Sequence, residues 1–120
     1  MMRAAVNGTL SLMVSADRAS RAPGGGRLKS LAFMSSISAV FSTLKCPGDV
    51  VSSADWNDEA EPNLFDAMHR LRRSTTQNPK LATDLGYAIY QASKTTAERA
   101  LWDFALNANP RFDIMSFCPW

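Results

Sequence analysis

The chain has 120 residues, 46% of them apolar and 20% charged, with a formal charge of +2. These values suit a single globular domain, one that buries roughly 65% of its unfolded surface at this size. So small a charge leaves no footprint for nucleic acid or an anionic membrane, and no apolar run reaches the ~18 residues of a membrane span.

Met1-Met2-Arg3-Ala4-Ala5-Val6-Asn7-Gly8 carries an early arginine, but Asn7, Gly8 and Thr9 break its apolar stretch, so it does not read as a signal peptide. Without secretion the Asn7-Gly8-Thr9 sequon has no meaning. Ala5 to Arg18 reads as a helix, with Leu10, Leu12, Met13 and Val14 as its apolar positions. Periodicity is then lost from Asp17 to Arg27, and Ala22-Pro23-Gly24-Gly25-Gly26 marks a flexible loop spanning 21–28. A dinucleotide-binding glycine turn must sit between a strand and a helix. Here a strand follows the glycines, so the loop reading stands.

Leu28 to Phe41 contains Leu31-Ala32-Phe33-Met34, an apolar run suited to a parallel strand covered on both faces. Ser35 and Ser36 fall at its carboxyl end, where open α/β sheets place their ligands. The stretch 43–84 reads as a long variable loop. Pro47-Gly48 marks a turn within it, and Pro62 to Arg73 forms a short helix with Phe65, Met68 and Leu71 on one face. Arg70, Arg72, Arg73 and Lys80 are basic, but Asp58, Glu59, Glu61 and Asp66 precede them, which reads as a solvated face. His69 is alone on the polar side of that helix, and no metal site is expected. Cys46 and Cys118 lack metal spacing and read as reduced thiols of a cytoplasmic protein.

Tyr87 to Phe104 reads as one long helix, with Asp84 at the N-cap position and Pro110 just past the end. Its buried face is expected to carry Ile89, Ala92, Ser93, Ala97, Ala100, Leu101 and Phe104. Tyr90 and Lys94 are one turn apart and project to the same side. An ammonium beside a phenol favours the tyrosinate, which makes the phenol usable for proton transfer near neutral pH. Arg111 to Pro119 reads as a second parallel strand, which completes a βαβ unit.

The string Tyr90-x-x-Ser-Lys94-Thr-x-Ala-Glu98-x-Ala-x-Trp102-x-Phe104 resembles the active-site helix of the extended short-chain dehydrogenase/reductases. It is most similar to their carbonyl reductase branch, which includes the dihydroflavonol, cinnamoyl-CoA and fungal aldehyde/ketone reductases. Phe33-Met34-Ser35-Ser36-x-x-Ala39-Val40 resembles the strand end that carries the catalytic serine, which maps to Ser36. Val6 to Leu12 is similar to the opening of the helix before that strand, and Ala54-Asp55-Trp56-Asn57 to an Asp-Trp-Asn element of the fungal reductases. In that element Trp56 is expected to pack rather than react.

The resemblance implies an α/β, doubly wound, Rossmann-like domain of which residues 1–120 are the central part. The N-terminal dinucleotide-binding half and the C-terminal substrate lobe would lie outside this stretch. It also implies reduction of an aldehyde or ketone to an alcohol by NADPH, or by NADH. Tyr90 would donate the proton, Ser36 would hold the carbonyl oxygen, and Lys94 would tune Tyr90 and bond the nicotinamide ribose. Tyr90 and Lys94 are therefore the expected cofactor contacts. A sugar epimerase or dehydratase with the same three residues is the alternative chemistry. A non-catalytic remnant that pairs an open sheet edge with a full-length relative is the alternative role.

Overall fold

A computed structural model describes residues 1–24, 26–42, 48–75 and 78–120. In chain order they form helix α1 (Met2–Arg21), strand β1 (Ser30–Met34), a 3-10 turn (Ile37–Ala39), helix α2 (Ala60–Arg73), helix α3 (Pro79–Ala108) and strand β2 (Asp113–Phe117). The strands are parallel, in register from Ser30 beside Asp113 to Met34 beside Phe117. Parallel neighbours need a crossover, and here α2 and α3 supply it. The result is an α/β arrangement around a two-stranded parallel sheet.

α1 extends three residues beyond each end of its expected span. It stops at Arg21 because Ala22, which precedes Pro23, is pushed to extended backbone. The Arg21 guanidinium bonds the Asp17 carboxylate and reaches across to the Ala108 carbonyl at 3.0 Å. It thus places a cation against the negative end of α3. At the other end, Met2 packs against the α2–α3 core, so α1 and α3 run side by side in the same direction.

α3 starts earlier than its sequence pattern indicates. Asn78, not Asp84, is the N-cap: its side-chain oxygen accepts the Lys80 N–H at 3.0 Å, and Pro79 takes the first helical position. At the other end Asn109 adopts the left-handed conformation, with φ 44°, and donates its N–H to the Ala105 carbonyl at 3.1 Å. The 43–84 stretch therefore carries all of α2 and the first turns of α3. Of the Pro47-Gly48 turn, Gly48 has a positive φ of 98°, while Pro47 lies outside the described residues, as does Cys46.

Two cores hold the elements together. Met13 of α1, Leu101 of α3 and Phe112 form one, with Leu31, Phe33 and Ile114 of the sheet packed against them. Alternation puts those strand residues on one face, so both long helices cover the same side of the sheet. The other side, with Met34 at 65% exposure and Met115 and Phe117 about half exposed, is open. The expected cover on both faces is thus met on one face only.

The second core joins Ala60 and Leu64 of α2 to Ala88 and Ala92 of α3. The side of α2 that packs is not the one that carries Phe65, Met68 and Leu71. Phe65 is 69% exposed, and Met68 and Leu71 also face outward. Small alanines on α3 let the helices approach along the Ala60–Leu64–Ala67 side instead. Burial on α3 is also wider than its apolar stripe, taking in Gln91, Thr95 and Glu98, because α3 is packed from several sides. The Thr95 and Thr96 hydroxyls stay satisfied by bonding the carbonyls one turn back, at 2.9 and 2.7 Å.

Candidate functional site

Beyond Met34 the chain keeps its extended course for two residues. Ser35 N–H donates to the Phe117 carbonyl at 2.8 Å and Ile37 N–H to the Pro119 carbonyl at 2.9 Å, which prolongs the parallel ladder. Ser36 is the cap of the 3-10 turn that follows. Its Oγ accepts the Ser38 N–H at 3.2 Å. A hydroxyl that accepts in this way keeps its own hydrogen free to donate. Ser36 is 6% exposed.

Lys94 reaches the same strand end. Its Nζ donates a long hydrogen bond, 3.4 Å, to the Met34 carbonyl, two residues before Ser36. Tyr90 lies about one helical turn earlier on the same strip of α3, about 6 Å along the axis. It is 43% exposed. The fold thus brings Lys94 to the strand end that carries Ser36, with Tyr90 one turn away. Among the described residues no hydrogen bond joins the three to one another.

Two residues at this strand end carry no marked role in the sequence pattern. Glu98, one turn beyond Lys94 and 4% exposed, accepts hydrogen bonds from Ser35, from Ser116 at 2.5 Å and from the Trp102 indole at 3.4 Å, with the Cys118 thiol at 3.8 Å. Ser35, Ser116 and Cys118 share the sheet face that α3 covers, so one carboxylate ties both strand ends to the helix. The clue in the sequence was an acidic residue on the otherwise small and apolar side of a helix. Asn57, 2% exposed, donates its side-chain N–H to the Ser38 carbonyl at 2.9 Å and holds the 3-10 turn in place.

Trp56 packs against Arg99. The Arg99 guanidinium lies 5.0 Å from its ring centroid and also pairs with Asp58. Trp56 forms part of the wall of a cavity of about 630 Å³, together with Ile37, Val40, Phe41, Trp102 and Glu98. Ser36, Tyr90 and Lys94 are not among the residues that line it. The Trp56 and Trp102 of the sequence pattern thus border the cavity, while the three expected catalytic residues stand outside its lining.

His69 is exposed on α2, and no group of three metal-binding side chains comes together among the described residues. The α2 arginines end their helix, and Arg70 pairs with Asp66 at 3.2 Å in solvent, as a solvated face would. Among the described residues no helix is long and apolar enough to cross a membrane.

No family model and no curated protein matches the chain. A solved structure does. It comes from structure-guided engineering of a reductase to attenuate substrate inhibition in asymmetric catalysis, and it superimposes with a TM-score of 0.61 at 24% identity. The alignment covers 93% of this chain and 28% of that one. The chain folds like part of a reductase. At that identity the likeness is one of fold, and the chain spans little more than a quarter of its neighbour's length.

Proposed function

We propose that the chain is the central part of a Rossmann-like carbonyl reductase that uses NADPH, or NADH, with Ser36, Tyr90 and Lys94 as its catalytic residues. The observation that carries this reading is the bond from Lys94 to the Met34 carbonyl. It fixes the Tyr-x-x-x-Lys strip of α3 at the carboxyl end of the strand that leads into Ser36. Such strand ends are where open α/β sheets bind their ligands.

The residues present suit the nicotinamide end of such a cofactor. Tyr90, nearly half exposed, offers a hydroxyl and the partly exposed Lys94 an ammonium, both able to bond a ribose. Gly24 and Gly26 lie between α1 and β1, in the order helix, glycines, strand, so they do not form the turn that cradles a pyrophosphate. When bound, the cofactor supplies a hydride to the carbonyl carbon.

The chain's own part is to handle the oxygen. Ser36, with its Oγ already accepting from the Ser38 amide, directs its O–H at the carbonyl oxygen and fixes it. Tyr90 gives that oxygen a proton as charge develops on it, and the Lys94 ammonium stabilises the tyrosinate left behind. The C–H and O–H bonds formed account for the hydride and the proton, and the product is an alcohol.

The test is NADPH oxidation by the natural gene product, followed by absorbance, with and without a panel of aldehydes and ketones. Oxidation that needs both the carbonyl compound and Tyr90 supports the reading. Its absence across the panel, or its survival unchanged in Tyr90→Phe, overturns it.

A further inference from the structure

We infer that Glu98 is a positioning residue for Ser36, acting through Ser35. The inference rests on the catalytic role proposed for Ser36. Glu98 carries a carboxylate into a nearly closed site, and burying such a group is costly unless it is fully hydrogen-bonded. Among the described residues no lysine, arginine or histidine pairs with it. Its partners are neutral donors: the hydroxyls of Ser35 and Ser116, the Trp102 indole and the Cys118 thiol. Together they occupy the roughly four acceptor positions of a carboxylate. A hydrophobic residue of similar size would fill this space without that desolvation cost, so the cost goes to geometry.

The geometry it sets is that of the strand end. Ser35 and Ser36 are adjacent on extended backbone, so their side chains leave on opposite sides. The Ser35 amide is anchored to the Phe117 carbonyl and the Ile37 amide to the Pro119 carbonyl. With the Ser35 side chain also held by Glu98, the chain on either side of Ser36 is held at three points. What is left for Ser36 is its own side-chain rotation, and the Ser38 amide restricts that at 3.2 Å. Glu98, Lys94 and Tyr90 follow one another at one-turn intervals on α3. A single rigid helix therefore holds the proposed proton donor, its cation, and the anchor of the serine opposite.

The experiment compares Ser35→Ala and Glu98→Gln with Thr9→Ala in the natural gene product. Thr9→Ala removes a buried hydroxyl bond within α1, to the Ala5 carbonyl and to neither Glu98 nor the serines, and serves as the control for plain destabilisation. Two properties are measured: steady-state kinetics, and hydrogen exchange at the Ser38 amide. In Ser35→Ala and Glu98→Gln, kcat falls roughly 10- to 100-fold, as expected when a reacting group is misplaced by a fraction of an ångström to an ångström. KM for NADPH stays unchanged and the Ser38 amide exchanges faster. In Thr9→Ala, kcat and the Ser38 amide are unaffected. A kcat in Ser35→Ala within about two-fold of the unaltered protein overturns the inference, as does a loss matched by Thr9→Ala. If the unaltered protein has no turnover, the reductase reading alone is struck. Ser38 exchange then decides the inference by itself: unchanged exchange in Ser35→Ala overturns it.

Discussion

The side chain of Asn57 donates to the Ser38 carbonyl at 2.9 Å, while the Asn57 main-chain N–H donates to the Ala39 carbonyl at 2.8 Å. One residue of the connection between β1 and α2 thereby closes the turn that follows Ser36. Thr95 of α3 reaches the same Ser38 carbonyl only at 3.5 Å, so it is a poor substitute. Asn57→Ala is expected to cost about 1–3 kcal/mol, because it leaves a buried carbonyl poorly satisfied. Asn57→Asp should cost more, since it sets an anionic acceptor against that carbonyl. Equilibrium urea unfolding of the two variants checks both the size and the order.

Tyr90→Phe separates chemistry from stability. The Tyr90 hydroxyl makes no hydrogen bond among the described residues, and the ring is nearly half exposed. Removing the oxygen should change the unfolding free energy by no more than about 0.5 kcal/mol, the usual range for a surface substitution without a special role. Carbonyl-dependent NADPH oxidation in the natural gene product should fall to background in the same variant. A protein that loses stability as well would give the hydroxyl a structural role that its surroundings do not show.

The frame of this fold could be read from residue patterns. The apolar Leu31–Met34 run became β1, Ile114 to Phe117 paired with it in parallel, and Tyr87–Phe104 lies within α3. What escaped was set by tertiary contacts. Glu98 and Gln91 are polar, so an apolar count assigns them to solvent, yet both are buried on α3. The Asn78-Pro79 start of α3 is a capping signal in the sequence, but Asp84 offers a competing one nearer to the tyrosine. Lys94 and Ser36 are far apart in sequence, and only the crossover brings their surroundings together at Met34.

The C-terminus of α3 offers a backbone test. Asn109 has φ 44°, a conformation that asparagine tolerates and a residue with a branched side chain resists. Asn109→Gly should leave stability within a few tenths of a kcal/mol or raise it, whereas Asn109→Val should cost about 1–2 kcal/mol. The difference between the two variants, measured by urea unfolding, isolates the left-handed cap from other effects at the helix end. Equal effects would show that the helix end shifts to another cap without loss.

Adjacent residues on α2 give opposite predictions. Spacing alone puts Phe65, Met68 and Leu71 on one stripe, and a stripe of large apolar residues is the natural choice for a buried face. The fold buries the neighbouring stripe instead, because helices packed through alanines approach closely and Leu64 then fills the seam beside Ala88 and Ala92. Leu64→Ala is therefore expected to cost about 2–5 kcal/mol through lost burial and the cavity left behind. Phe65→Ser, at a position 69% exposed, should stay within about 0.5 kcal/mol. Urea unfolding of this pair tells which side of α2 meets α3. A large loss in Phe65→Ser with little in Leu64→Ala would mean the helix is rotated toward its larger side chains, and the Ala60–Leu64 core would have to be redrawn.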